Sequence, residues 1–151
     1  MHRTSLLFLT VLLFVSCKDA AQNTALQPEQ ENTVKVVEPA KFHSLIADTP
    51  NAQLVDVRTA NEVSRGVIDG AAHMCFSCPE FEEQVDGLDK DRPVFLYCKV
   101  GGRSSRAAAI LKRKGFRQVY DLKGGIDAWQ EGERATLAPA APTPRPTALL
   151  V

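Results

Sequence analysis

A chain of 151 residues holds one ordinary domain with a proper core and hardly two. Hydrophobic residues make up 44% and charged residues 24%, the composition of a soluble globular protein. The formal charge is zero, so overall electrostatics favour neither nucleic acid nor an acidic lipid surface as partner.

Residues 1–16 read as an address rather than as part of the fold. His2 and Arg3 give a short basic start, and Leu6 to Val15 is apolar apart from Thr10. The run is short of the roughly 20 residues that span a bilayer and fits a secretory signal. It ends in Phe14-Val15-Ser16-Cys17, which resembles the lipobox of bacterial lipoproteins, with Phe14 where an aliphatic residue is usual. That resemblance implies acylation of Cys17 and export. The expected product is a periplasmic or cell-surface membrane lipoprotein of a bacterium, held by its N-terminal lipid. Residues 17–32 are polar and read as a flexible tether. Residues 135–151, with four prolines among alanines and threonines, read as a disordered tail.

Between these lies a domain, 33–134, in which strand and helix patterns alternate. Val34 to Val37 is a β-branched run, and Pro39 suits the first turn of a helix carrying Phe42, Leu45 and Ile46 on one face. Leu54 to Val57 is a second strand, and Thr59 is placed to cap a short helix bearing Glu62 and Val63. Ala72 to Phe76 reads as a third strand, and a helix starting at Pro79 puts Phe81, Val85 and Leu88 together. Pro93 to Cys98 is a fourth strand, apolar without interruption, as burial on both faces demands. A helix over Ser104 to Lys114 follows, with Gly115 as its stop. Val119 to Leu122 is a fifth strand, Gly124-Gly125 turns the chain, and Ile126 to Trp129 opens a last helix with Trp129 in the core. Such alternation predicts an α/β fold, a central, mostly parallel five-stranded sheet with helices on both faces.

The stretch with chemistry in it is Cys98-Lys99-Val100-Gly101-Gly102-Arg103. A cysteine stands where a buried strand ends and the N–H groups of a helix begin, which favours a thiolate and a bound anion. The glycines permit a tight cradle, and Arg103 brings a fixed cation with donors suited to oxyanions. From Lys99 to Tyr120 there are seven Lys or Arg residues and no Asp or Glu. Lys112, Arg113 and Lys114 read as a solvated helix face, whereas Lys99, Arg103 and Arg106 border the loop. Open α/β sheets bind ligands at this strand-to-helix edge.

An ordered series of segments resembles the single-domain rhodaneses, the sulfurtransferase fold, over about a hundred residues. It comprises Leu54-Val55-Asp56-Val57-Arg58 with Glu62, then Gly66 to Ala71, then Tyr97-Cys98 with Gly101, Arg103 and Ser104. Gly115-Phe116 and Leu122-Lys123-Gly124-Gly125-Ile126 with Trp129 complete it. Val67 stands where the family commonly has histidine. The resemblance implies that Cys98 takes up a sulfane sulfur as a persulfide and passes it to a thiophilic acceptor, cyanide or a thiol. Asp56 and Arg58, which by themselves read as an ion pair or helix cap at a strand end, would then be a structural support near the site and not a nucleophile.

The residues carry a mechanism of their own. Attack of a Cys98 thiolate on thiosulfate gives the persulfide and sulfite, with Lys99, Val100, Gly101, Gly102 and Ser104 as the anion-binding loop. Arg103 and Lys99 meet the anionic donor. The sequence has no metal or organic cofactor motif, and this chemistry needs none. Cysteine-dependent phosphatases of related fold place five residues between Cys and Arg; here four do, a smaller cradle better matched to one sulfur than to phosphate. Cys75 and Cys78 form a C-x-x-C pair, too few ligands for structural zinc. A disulfide, a resolving pair for a Cys98 persulfide, and two unconnected thiols all remain open for it. A membrane-tethered persulfide or redox relay with little turnover is therefore the alternative to a thiosulfate sulfurtransferase.

Overall fold

Strands that are apolar on both faces need cover on both faces, and the computed structural model arranges the chain accordingly. It describes residues 32–132 and 134–137; the signal-type segment, Cys17 and all but the last residue of the tether lie outside the described residues. The elements alternate: β1 (Thr33–Val37), α1 (Pro39–Asp48), β2 (Gln53–Asp56), α2 (Ala60–Val63) and β3 (Ala72–His73). The second half follows as α3 (Phe81–Asp86), β4 (Val94–Tyr97), α4 (Gly102–Arg113), β5 (Gln118–Leu122) and α5 (Gly125–Glu131). The five strands form one sheet in the order β1-β5-β4-β2-β3. Every pairing is parallel, so all strands end on the same edge.

The period-two alternation of strand side chains divides the core between the two faces. Val55, Val57, Val94, Leu96 and Cys98 pack on one face with Phe81 and Val85 of α3 and Ala107, Ala108 and Leu111 of α4. Leu54, Phe95, Tyr97 and Leu122 point the other way, onto Phe42 of α1 and Ile126 and Trp129 of α5. All of β4 is buried, because it lies between β5 and β2 with helices above and below. The α4 helix closes at Gly115, whose φ of +91° lets the chain turn back so that the Phe116 N–H reaches the Leu111 carbonyl.

Several element ends shift by a residue or two from the sequence reading, and three differences shape the rim and the tail. The third strand is only Ala72–His73 rather than Ala72 to Phe76, because it pairs at the sheet edge and the chain then bends into a Cys75–Cys78 disulfide turn. The helix expected from Pro79 starts at Phe81, after a turn in which the Phe81 N–H bonds to the Cys78 carbonyl. The tail does not leave the domain at residue 135. Leu137 exchanges two backbone hydrogen bonds with Val67, and Trp129 Nε1 donates to the Ala135 carbonyl at 3.2 Å. Val67 is thus buried beneath the outgoing chain.

Candidate active site

Cys98 is the first residue after β4, and the loop that follows wraps around its sulfur. The Gly101 N–H donates to Sγ at 3.0 Å. The buried Ser104 hydroxyl lies 3.6 Å from the same sulfur and 3.0 Å from the Gly101 carbonyl. Gly101 caps α4 with a φ of +100°, a left-handed conformation that turns the loop's N–H groups inward. Burial raises the Cys98 pKa, but donors from the Ser104 N–H and hydroxyl, the Arg103 N–H and the Gly101 N–H outweigh it. The net effect holds the thiol below its ordinary value. Among the described residues Cys98 is the free thiol.

The loop is held from below by α5. The N–H groups of Ile126 and Asp127 donate to the carbonyls of Cys98 and Lys99 at 2.9 and 3.1 Å. This close approach explains the Gly-Gly turn. Gly125 has a φ of +63°, and a Cβ there would come within 2.5 Å of the Cys98 carbonyl and collide with that of Lys99.

Arg103 turns away from solvent onto Glu62, with Nη1 and Nη2 at 2.7 and 2.6 Å from the two carboxylate oxygens. Glu62 also closes the capping box of α2, accepting from the Thr59 N–H at 3.0 Å and the Thr59 hydroxyl at 2.7 Å. The Arg103 guanidinium, together with those Thr59 bonds, keeps the Glu62 carboxyl well below the usual carboxylate range despite partial burial.

Asp56 and Arg58, on the neighbouring strand end, form a buried pair in which Arg58 Nη2 lies 2.6 Å from Asp56 Oδ2. Arg58 also donates to the carbonyls of Gly66 and Glu62, so one guanidinium ties the end of β2 to α2, which carries Glu62, and to the loop after it. The Tyr97 hydroxyl accepts the Ile68 N–H at 3.1 Å, and burial beside Asp56 pushes its pKa upward. His73 bonds to the Arg58 carbonyl at 2.8 Å.

The structure therefore gathers Cys98, Gly101, Arg103 and Ser104 around one sulfur, with Asp56 and Arg58 on the next strand. Lys99, Val100 and Gly102 are exposed on the outer side of the loop. Lys99 borders a cleft of about 250 Å³ shared with Arg58, Glu62, Arg65, Asp127 and Gln130. Cys75 and Cys78 are joined by a disulfide just past β3, on the same edge of the sheet. Two features of the site go beyond the sequence reading, the partner of Glu62 and the burial of Asp121. Glu62 closes the cap of the short helix that Thr59 opens, as its spacing from Thr59 allows, but no local signal points to Arg103 as its partner. Asp121 carries a signal of its own, an acid inside the otherwise apolar run Val119 to Leu122. It is buried with Oδ1 lacking a hydrogen-bond partner among the described residues, and burial lifts its pKa to about 6 although the Ser104 hydroxyl faces it.

A parallel α/β sheet whose carboxyl edge holds a thiol in a ring of amides defines a domain built around a cysteine-centred anion loop. The chain belongs to the rhodanese-like domain family, whose model matches residues 38–132. It is 33% identical over 106 residues to a protein of Allochromatium vinosum named sulfurtransferase, covering 70% of this chain and 97% of that one. A rhodanese-related protein from Thermoplasma volcanium superposes with a TM-score of 0.62 at 25% identity, over 70% of this chain and 99% of that one. The polysulfide-sulfur transferase homodimer of Wolinella succinogenes gives 0.60 at 28% identity, over 72% and 81% of the two chains.

Proposed function

We propose that this protein is a sulfurtransferase that moves a sulfane sulfur from a donor such as thiosulfate to cyanide or a thiol through a Cys98 persulfide. The observation that carries this reading is the ring of Gly101, Arg103 and Ser104 donors that lowers the Cys98 pKa at the start of α4. The names of the Allochromatium and Wolinella relatives agree with it.

The thiolate attacks the outer sulfur of thiosulfate, the S–S bond breaks, and sulfite leaves with the bonding pair. The persulfide then carries its negative charge on a terminal sulfur inside the amide ring, where fixed dipoles stabilise it without reorganisation. Cyanide or a thiolate attacks that sulfur and returns Cys98 to the thiolate. Lys99 and Arg65 at the cleft supply positive charge for an anionic donor, while Arg103 is held in place by Glu62. With four residues between Cys98 and Arg103, the cradle suits one sulfur better than a tetrahedral phosphate.

Purified protein should release thiocyanate from thiosulfate and cyanide, and Cys98→Ser should abolish it while leaving the fold intact. Turnover of an aryl phosphate with thiosulfate untouched would reverse the assignment. We further propose that the protein is exported and anchored through an acylated Cys17, supported by the lipobox-like run Phe14 to Cys17. Incorporation of labelled fatty acid that disappears in Cys17→Ser tests this.

A further inference from the structure

The Cys75–Cys78 bridge stands apart from the loop that carries the transfer, yet the backbone places both on one rim. Val57 lies between them. Its N–H donates to the Tyr97 carbonyl at 3.0 Å, and its carbonyl accepts the Phe76 N–H at 3.2 Å. The chain at Cys98 and the chain at Phe76 are therefore two strand spacings apart, about 10 Å. Cys98, Phe76 and Phe81 pack on the same face of the sheet. The Arg106 guanidinium lies 4.9 Å from the centroid of the Phe76 ring, which fastens the bridge loop to α4, the helix that cradles Cys98.

The two sulfurs differ in access. Cys75 is buried at 8% exposure, whereas Cys78 is exposed at the outside of the turn. With the bridge reduced, Cys78 is free to swing while Cys75 stays anchored in the wall. A persulfide on Cys98 projects one sulfur about 2 Å beyond Sγ, toward the rim. An exposed thiol backed by a buried partner is the arrangement a dithiol needs to take up a sulfane sulfur and then discharge it.

We propose that Cys75 and Cys78 are a redox-active dithiol that accepts the sulfane sulfur from Cys98 and reduces it to sulfide. The inference rests on the Cys98 persulfide proposed above. In the first step the Cys78 thiolate attacks the terminal sulfur of the Cys98 persulfide. A Cys78 persulfide forms, and the Cys98 thiolate leaves. In the second step the Cys75 thiolate attacks the Cys78 Sγ and expels hydrosulfide, which closes the Cys75–Cys78 disulfide. The sulfane sulfur gains two electrons and the two thiols lose two, so each sulfide released leaves one bridge. An external dithiol reductant must open that bridge before the next cycle.

The test uses full-length protein, reduced, freed of reductant and given one equivalent of thiosulfate with no other thiol. Wild type should release about one sulfide per protein, with Cys75 and Cys78 recovered as a disulfide and Cys98 as a thiol by peptide mass mapping. Cys78→Ser should keep the extra sulfur on Cys98 and release at least tenfold less sulfide. Cys75→Ser should accumulate the sulfur as a persulfide on Cys78. Reduced wild type that holds a stable Cys98 persulfide and releases no sulfide would overturn the relay alone. Equal sulfide release from Cys78→Ser would do the same. Absence of any sulfur on Cys98 in Cys78→Ser would instead remove the underlying transfer reading, and the relay with it.

Discussion

Arg103 and Glu62, 41 residues apart, meet as a two-pronged ion pair that joins the active loop to the cap of α2. The same carboxylate takes the Thr59 N–H, so the position of Arg103 and the start of α2 are one structural unit. Glu62→Gln should lower kcat/KM for thiosulfate about tenfold, the equivalent of about 1.4 kcal/mol of lost positioning. Weakening the cap adds a stability loss of about 1 kcal/mol, read as a melting temperature lower by several degrees. Glu62 is held below its ordinary pKa, so its stabilisation is present above the unfolded carboxyl pKa and disappears as pH falls through the lower folded value. The gap between wild type and variant should hold steady from about pH 5 to 8 and shrink progressively as pH falls below the unfolded carboxyl value of 4.5.

The Ser104 hydroxyl is one of the groups that overcome burial at Cys98. Ser104→Ala should shift the pH midpoint of iodoacetamide alkylation upward and slow alkylation at pH 7 about tenfold. That is the effect of removing a hydrogen bond to a charged acceptor, about 1.5 kcal/mol. The limiting rate at high pH should be unchanged. An unmoved midpoint would show that the backbone N–H groups alone set the thiolate.

Gly125 and Gly70 separate backbone strain from crowding of the loop. Both have positive φ, +63° and +76°, but a Cβ at Gly70 meets nothing within 4 Å. Gly70→Ala should therefore cost only about 1–2 kcal/mol of conformational strain and leave transfer activity unchanged. Gly125→Ala carries the same strain and also drives a methyl group into the carbonyls of Cys98 and Lys99. Its activity should fall at least a hundredfold, a loss that strain alone does not explain. Denaturant melts beside thiocyanate assays compare the two.

Asp121 works against the fold at neutral pH. Its folded pKa, about 6, lies above the unfolded 3.8, so the folded state keeps a proton that the unfolded state releases between those values. Its stabilising contribution is complete below about pH 4 and is lost as pH rises through 6. The displacement corresponds to about 3 kcal/mol as an upper measure. Asp121→Asn should make the protein more stable than wild type at pH 8, with the difference closing toward pH 4. Urea unfolding across that range measures it.

Local patterns reached far into this protein. The helical and strand periods of Phe42, Leu45 and Ile46, of Val94 to Tyr97, and of Ala107, Ala108 and Leu111 are set by residues a few positions apart. Steric and hydrophobic periodicity writes those directly into the chain. The same local logic put Cys98 at the junction of a buried strand and a helix, with four residues before Arg103. It stopped at β3, where an edge strand yields to the disulfide turn. It stopped again at Leu137, whose hydrogen-bonding partner is seventy positions earlier.

What the linear chain did not reveal has one physical source, the lateral order of the strands. Because β4 lies between β5 and β2, the α2 cap reaches Arg103, Gly125 comes to rest beneath the Cys98 carbonyl, and Asp121 is sealed behind Ser104. Each of these contacts joins segments whose spacing along the chain carries no periodic signal. They form because parallel strands all end on one edge, and burial there selects the partners. The chemistry of Cys98 was legible in six consecutive residues. The groups that aim it, hold it and tune it came from β2, α2, β5 and α5, and became visible only with the sheet assembled.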